Sequence, residues 1–495
     1  MSIPQLPTHR GRGPRVVSLV YNDASTDSRV LKTTATLRAA GADARIVASA
    51  RDLAGHPAGI GYVGETEVHR APDLVLTRML PRLTRLWRRL RGKDVVTGKP
   101  LATSTADGGA PGGQEEVTGS GGTGGERGLG GASPTTAGDA PAAPEAAPSA
   151  TAPASPSPTP TARATAFAAD AWMRLYQTAR LTYWWIGAVR EGRRLAPDVV
   201  HANDANALVP ALLICARTRA RIVYDSHELW RRRNIRTDRW LAPAVEAVIE
   251  RLGIRRAGGV ITVSPSIADW LQRTYRLPVR PTLVRNIPTA RTVPDPALGR
   301  LRELTGLGPA DKIVSYTGGI TTGRGLEETV DAVALLPADV HLVLLGYGDA
   351  TYTAGLLRRA REAGVAERVH LAGSVPSAQV PQTLADADAA VVYVRPICLS
   401  YRYSLPNKLF ESIHAGLPIV AADLPDTAAI VRQYGVGEVF DAGTPQELAA
   451  AIEQVLTDPS SYRAAARAAA AELTWEHEAE HLVGLYRRVL RGRRG

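Results

Sequence analysis

Lys312-Ile-Val-Ser-Tyr-Thr-Gly-Gly-Ile-Thr-Thr-Gly-Arg-Gly325 runs a β-branched apolar strand into a glycine-rich turn and then into a helix. The strand is close to a continuous apolar run, the mark of a parallel strand covered on both faces. The pattern recurs through the second half at His341–Gly346, Arg368–Gly373, Ala389–Val394 and Pro418–Ala422. It recurs in the first half at Arg15–Tyr21, Ala44–Ser49, Asp198–Ala202, Arg221–Asp225 and Val260–Ser264. Amphipathic stretches between these runs supply right-handed crossovers. The expectation is an α/β chain with two doubly wound parallel sheets, divided near Ile287–Pro296, where Pro288, Pro294 and Pro296 cluster.

Bulk properties narrow the class. Hydrophobic residues make up 44% and charged residues 22%, the balance of an ordinary globular chain. The net charge of +11 rests on 59 basic residues of which Lys32, Lys93, Lys99, Lys312 and Lys408 are the lysines. An arginine excess this general reflects compositional bias, and no nucleic-acid-reading motif accompanies it, so nucleic acid is not an expected partner. Cys215 and Cys398 fit neither a disulfide framework nor a zinc site, and read as small buried thiols in a reducing compartment. Residues 1–15 have no signal-peptide core and no long apolar run occurs. A cytoplasmic protein is expected, with peripheral contact at the inner membrane face. From 94 to 165 the chain is Gly, Ala, Pro, Ser and Thr with few large apolar residues. Such a segment cannot bury enough surface to offset its ordering entropy, and is read as a disordered insertion. Roughly 420 residues remain, enough for two ordinary domains.

In doubly wound sheets, ligands bind at the carboxyl ends of the strands, so the loops there carry the chemistry. The first is Tyr21-Asn-Asp-Ala-Ser-Thr-Asp-Ser-Arg-Val30, in which Asp27 or Ser28 can cap a helix whose N-terminus would attract phosphate. A plain capped turn fits it as well. His201-Ala-Asn-Asp204 and Asp225-Ser-His-Glu228 end two further strands. In the second half, Gly318 and Gly319 permit a tight turn and close backbone approach, and Arg324 stands at the following helix start. Gly346 and Gly373 mark the next two strand ends. Three glycine-marked ends in succession point to a nucleotide. Ser404-Leu-Pro-Asn-Lys-Leu-Phe-Glu411 places Pro406 and Asn407 at a helix start and Glu411 one turn in, where a carboxylate can reach ribose hydroxyls.

This ordered set of motifs resembles the family 4 retaining glycosyltransferases, which have the GT-B fold, over nearly the whole chain outside the insertion. The resemblance implies two Rossmann-like domains facing an interdomain cleft: an acceptor-side domain at 14–290, a nucleotide-sugar donor domain at 297–474, and a last helix, 475–495, crossing back to the first. It implies catalytic roles for His227 near the donor sugar, Arg324 at the phosphates and Glu411 at the ribose. Gly318, Gly319, Gly346 and Lys408 would line the donor diphosphate, and the loop around Gly373 and Val375 would hold the base through backbone groups.

Two positions depart from the family pattern. Tyr403 stands where the family often has a second glutamate, eight residues before Glu411, and Gly319 stands where a second basic phosphate ligand is common. Lys408 is the candidate substitute, against the plainer reading of a lysine lying along a helix surface.

The activity implied is transfer of a sugar from a nucleoside diphosphate, UDP or GDP, to an acceptor hydroxyl with retained configuration and no separate cofactor. No Asp-x-Asp pair sits suitably for a metal, so no metal is expected. The acceptor class is a glycan or glycolipid of cell-surface polysaccharide or glycolipid synthesis. That reading draws on two stretches suited to an anionic membrane surface: the basic, Leu- and Trp-containing Arg82–Lys93, and Ala171–Leu195 with Trp172, Tyr176, Tyr183, Trp184 and Trp185. Ordinary helices with core aromatics explain them equally. A nucleotide-sugar-modifying enzyme of epimerase type, or a non-catalytic binding homologue, fits the same cleft.

Overall fold

The computed structural model describes residues 3–9, 11–75, 160–234, 242–441 and 443–492. Among them, fourteen strands form two sheets. The first holds β1 (Arg15–Leu19), β2 (Asp43–Ser49), β3 (Gly59–Val63), β4 (Thr66–Ala71), β5 (Val199–Asn203), β6 (Arg221–Ser226), β7 (Ala257–Thr262) and β8 (Thr282–Leu283). Their order is β3-β4-β2-β1-β5-β6-β7-β8. The second holds β9 (Lys312–Thr317), β10 (Val340–Leu345), β11 (Val369–Gly373), β12 (Ala389–Val392), β13 (Ile419–Ala422) and β14 (Gly437–Phe440), in the order β11-β10-β9-β12-β13-β14.

Every pairing is parallel except β3 with β4. The chain is therefore built of two parallel-sheet α/β domains, as the strand pattern implies. In each, the strand order reverses beside the first strand, at β1/β5 and at β9/β12. Those are the switch points at which a crevice opens.

The antiparallel hairpin departs from the all-parallel expectation. Gly64, at φ +56°, and Glu65 form a two-residue turn that needs no crossover. The short runs on either side carry too few apolar residues to announce strands. The last residues of the stretch read as a disordered insertion differ from that expectation. A helix runs Pro160–Arg194, so 160–165 is helical. Proline suits a first helical turn, and Ala162, Ala164 and Ala166 favour helix strongly. Residues 94–159, and the basic stretch Arg82–Lys93, lie outside the described residues. By contacts the chain divides into two units, Met1–Gly109 with Thr178–Gly495, and Ala110–Gln177. Both sheets belong to the first, and the described part of the second is helical.

The aromatic set of Ala171–Leu195 divides. Trp184 is fully buried against Tyr21, and Trp185 donates its indole N–H to the Asn206 carbonyl. Trp172, Met173, Leu175 and Ile186 are exposed. Among the described residues, no helix is long and apolar enough to cross a membrane. Both cysteines are free and half-buried, more open than the sequence suggests.

The helix Trp475–Arg491 packs on the first domain, not the second from which the chain reaches it. Its buried stripe of Trp475, Ala479, Leu482, Val483, Tyr486 and Val489 repeats at three and four residues, which keeps it on one face. It completes a core with Leu6, Val16, Leu37, Val199, Val223 and Ile261. Gly259 in β7 makes room: a Cβ there would come within 2.9 Å of both Leu485 and Val489. Gly259→Val should therefore push this helix off its seat and cost about 1–3 kcal/mol of stability by overpacking. An unchanged urea midpoint in the variant would show that the helix tolerates displacement.

Candidate functional site

The glycine-rich ends of β9, β10 and β11 interlock. The Gly318 N–H donates to the Leu345 carbonyl (2.9 Å), Ile320 N–H to Tyr347 (2.8 Å), and Gly346 N–H to Gly373 (2.6 Å). Gly346 is required by contact: a Cβ there would lie 1.8 Å from the Gly318 carbonyl oxygen. The three strand ends thus form one backbone ledge, with Gly319 leaving open space where a larger side chain would project. The helix Leu326–Val333 begins directly after it at Gly325, whose φ is +65° and whose missing Cβ would strike the Tyr393 ring. Arg324 is half-buried there, its guanidinium 5.2 Å from the Tyr401 ring centroid.

Lys408 approaches the same ledge from the helix Asn407–His414. It is 7% exposed, which removes the reading of a lysine along the surface. Its Nζ lies 3.4 Å from the centroid of the Tyr316 ring and has no hydrogen-bond partner among the described residues. The Tyr316 hydroxyl donates to the Gly319 carbonyl (2.8 Å), so one side chain both shapes the glycine turn and supports the ammonium. Burial, with the like charge of Arg324, holds Lys408 well below the usual lysine range, and Glu411 acts against that shift. Glu411, half-buried, stands one turn further along the same helix. The structure thus brings Gly318, Gly319, Arg324, Gly346 and Lys408 together, with Glu411 beside them and Gly373 on the ledge's far side. Val375 packs partly against the second domain's core.

Across the cleft, His227 follows β6 between two carboxylates. Its Nδ1 is 3.4 Å from Asp204 Oδ2 and its Nε2 is 3.4 Å from Asp225 Oδ2. Asp204, held at φ +59°, also accepts the His227 backbone N–H at 3.1 Å. Burial opposes charge on the ring, but Asp204 and Asp225 overcome it and push its pKa up to about 10. His227 is therefore an imidazolium at neutral pH. Asp225 is fully buried, and although burial works against its charge, Arg29 and His227 hold it well below the usual carboxylate range. Burial raises Glu228 to about 7 against the pull of Arg233, with Asp204 adding to the rise.

His201 takes no place in the open cleft. It is wholly buried between Asp225 and Tyr486. Arg29 lies in the first loop motif, and no local pattern around it, Tyr316 or Tyr486 marks a part in the site. The loops of the two domains touch beside the site. The Leu229 N–H donates to Ser400 Oγ (3.2 Å), Ser264 Oγ to the Tyr403 carbonyl (2.8 Å), and the Ser266 N–H and hydroxyl to Asp426. The Tyr403 side chain packs against the first domain's core, so the residue in place of the family's second glutamate serves domain contact. No cluster of three or more His, Cys, Asp or Glu residues suited to a metal occurs among the described residues.

The model described as "Glycosyltransferase Family 4" matches residues 147–289, and that described as "Glycosyl transferases group 1" matches 311–458, together more than half of the chain. The chain belongs to the family 4 glycosyltransferases. A 2-deoxystreptamine glucosyltransferase from Streptomyces kanamyceticus is 29% identical over 267 residues, covering 51% of this chain and 66% of that one, just under two thirds. Three D-inositol 3-phosphate glycosyltransferases, at 29–30% identity, are spanned over 42–46% of their length. Sucrose-phosphate synthase from Thermosynechococcus elongatus superposes with a TM-score of 0.63 at 16% identity, over 96% of this chain and 98% of that one. Anabaena HepE in complex with UDP-glucose gives 0.59 at 15% identity, over 95% and 98%. These likenesses establish the two-domain GT-B fold for this glycosyltransferase.

A folded-state pKa near 10 against an unfolded value near 6.5 means that His227 stabilises the glycosyltransferase most below about pH 6.5, and that this contribution is lost as pH rises through about 10. The stability difference between wild type and His227→Gln, measured by urea unfolding at pH 6, 8 and 10, should shrink steadily over that series. A difference that is constant across it would mean that the imidazole is not held charged.

Proposed function

We propose that the chain moves a glycosyl unit from a nucleoside diphosphate sugar, UDP- or GDP-linked, to an acceptor hydroxyl with retained configuration. The observation that carries the reading is the Lys408 amine, buried over Tyr316 without a hydrogen-bond partner among the described residues, beside Arg324 and above a backbone ledge. An amine buried in this way holds its charge only with a counter-ion. A diphosphate supplies one, and the loop offers the N–H groups and the helix start that anions favour. Lys408 then does the work of the basic side chain that Gly319 lacks.

The reaction breaks the bond between the anomeric carbon and the β-phosphate oxygen. The acceptor oxygen attacks the face that the phosphate leaves, and its proton passes to the departing phosphate. Negative charge grows on the diphosphate as the bond lengthens, so fixed cations there stabilise the transition state more than the ground state. Arg324 and Lys408 fill that role, Glu411 takes the ribose, and the loop of Gly373 and Val375 takes the base. His227 stands on the opposite wall, towards the sugar. HepE was solved with UDP-glucose, which favours a UDP-sugar donor here. The acceptor is assigned to the glycan or glycolipid class, met by a protein working at the cytoplasmic membrane face. The exposed Trp172, Leu175 and Ile186 support that placement.

Two measurements test this. In a thermal-shift screen with UDP, GDP, ADP and dTDP, one nucleotide at 100 times its Kd should add about 2.7 kcal/mol of stability. Lys408→Ala and Glu411→Ala should each reduce the shift, and a Lys408→Ala protein with full affinity would remove the lysine from the phosphate site. Second, because Lys408 is held low and a diphosphate favours its charged form, nucleotide binding should take up protons. Calorimetry in buffers of different ionisation enthalpy should show that uptake in wild type and lose it in Lys408→Ala.

A further inference from the structure

We propose that Asp225 is the positioning residue for His227, and that Tyr486, on the helix Trp475–Arg491, fixes Asp225 through His201. This rests on the reading that His227 faces the donor sugar. Residues 29, 201, 225, 227 and 486 come from four separate elements and the loop after β6, and only the fold unites them.

The geometry converges on one atom. Asp225 Oδ2 has Arg29 Nε at 3.0 Å, His201 Nε2 at 3.3 Å and His227 Nε2 at 3.4 Å. The other oxygen, Oδ1, accepts from Arg29 Nη2 at 2.7 Å, completing a two-pronged pair. Arg29 is itself tied down, since its Nη1 donates to the Val284 carbonyl at 2.6 Å. Asp225, His201 and Tyr486 are all fully buried, so water does not compete for these contacts.

Tyr486 acts by choosing a tautomer. Its hydroxyl lies 2.8 Å from His201 Nδ1. A neutral imidazole has one N–H and one lone pair, and the nitrogen facing a carboxylate must carry the hydrogen. Tyr486 therefore donates to Nδ1, which leaves the Nε2 hydrogen for Asp225. Without that hydroxyl, His201 can turn a lone pair towards the carboxylate and repel it. The Arg29–Asp225 pair alone would satisfy both of its charges. The added histidine and tyrosine fix where Oδ2 points, and Oδ2 is the atom that meets the His227 ring.

The groups facing this array are Arg29 from the helix Ser28–Ala39, His201 and Asp204 from the end of β5, Asp225 and Glu228 around the end of β6, and Tyr486. The test follows the imidazole of His227 by NMR in the full chain labelled with ¹⁵N-histidine, its signal assigned by loss in His227→Asn. Asp225→Asn should lower the His227 pKa by about one to three units, the size of an opposite-charge contact. Tyr486→Phe, which keeps the ring and its packing, should shift it the same way by less. In a transfer assay both variants should lose kcat at alkaline pH while nucleotide affinity is kept. His227 titrating as in wild type in both variants would overturn the proposal. Should Asp225→Asn not fold, Tyr486→Phe decides alone, and an unmoved titration there overturns it equally. The titration reads out even if no transfer is found, which would count against the proposed function and leave the array standing.

Discussion

A parallel strand must leave its sheet at the end opposite the one where it enters, so all loops after such strands gather on one edge. Everything chemical in this chain depends on that constraint. Tyr21–Val30, Asp204, His227, Gly318–Gly325, Gly346 and Gly373 are far apart in sequence and share little composition. They meet because β1, β5 and β6 in one sheet, and β9, β10 and β11 in the other, run parallel and release their chains at one edge of their own sheet. Reversal of strand order beside β1 and β9 opens one crevice per sheet. The contacts of Leu229, Ser264 and Ser266 with Ser400, Tyr403 and Asp426 set those crevices against each other.

The two walls handle charge in opposite ways. On the first domain's side, charges alternate and neutralise within the protein: Arg29, Asp225, His227 and Asp204 each have a partner of opposite sign. On the second domain's side, Arg324 and Lys408 stand together, and among the described residues Lys408 has an aromatic face and the nearby Glu411 to temper its charge. That arrangement is costly alone and favourable with an anion present. A polar array that is already satisfied orients a group, whereas one left short of negative charge binds.

Much of this was legible from the residues. Continuous apolar runs before glycine or polar turns gave the parallel strands and their site-bearing ends. Asp27 caps the first helix through the Val30 N–H, and Pro406 precedes the helix Asn407–His414, as their residue types suggest. The hairpin β3–β4 escaped because its run Gly59–Val63 is mostly exposed and so carries no buried pattern to detect. The buried array behind His227 escaped for a different reason. Arg29 sits 196 residues from Asp225, and Tyr486 sits 285 from His201, so no local spacing links them. Lys408 was visible as a residue type, but its burial depends on Tyr316, which belongs to the distant strand β9.

The helix Trp475–Arg491 brings in a matter of timing. The first sheet ends at Leu283, and the helix that closes its core begins at Trp475. The whole second sheet is made between them. As the chain emerges from the ribosome, the second domain gains all its own strands while the first still shows the apolar face that Leu482, Val483 and Tyr486 will cover. Domains that emerge first usually fold first. Here the earlier one is left unfinished until the later one has been synthesised, and the nascent chain carries an uncovered hydrophobic seat for that whole interval. The ordering of Tyr486 against His201 is therefore among the last events in building the site.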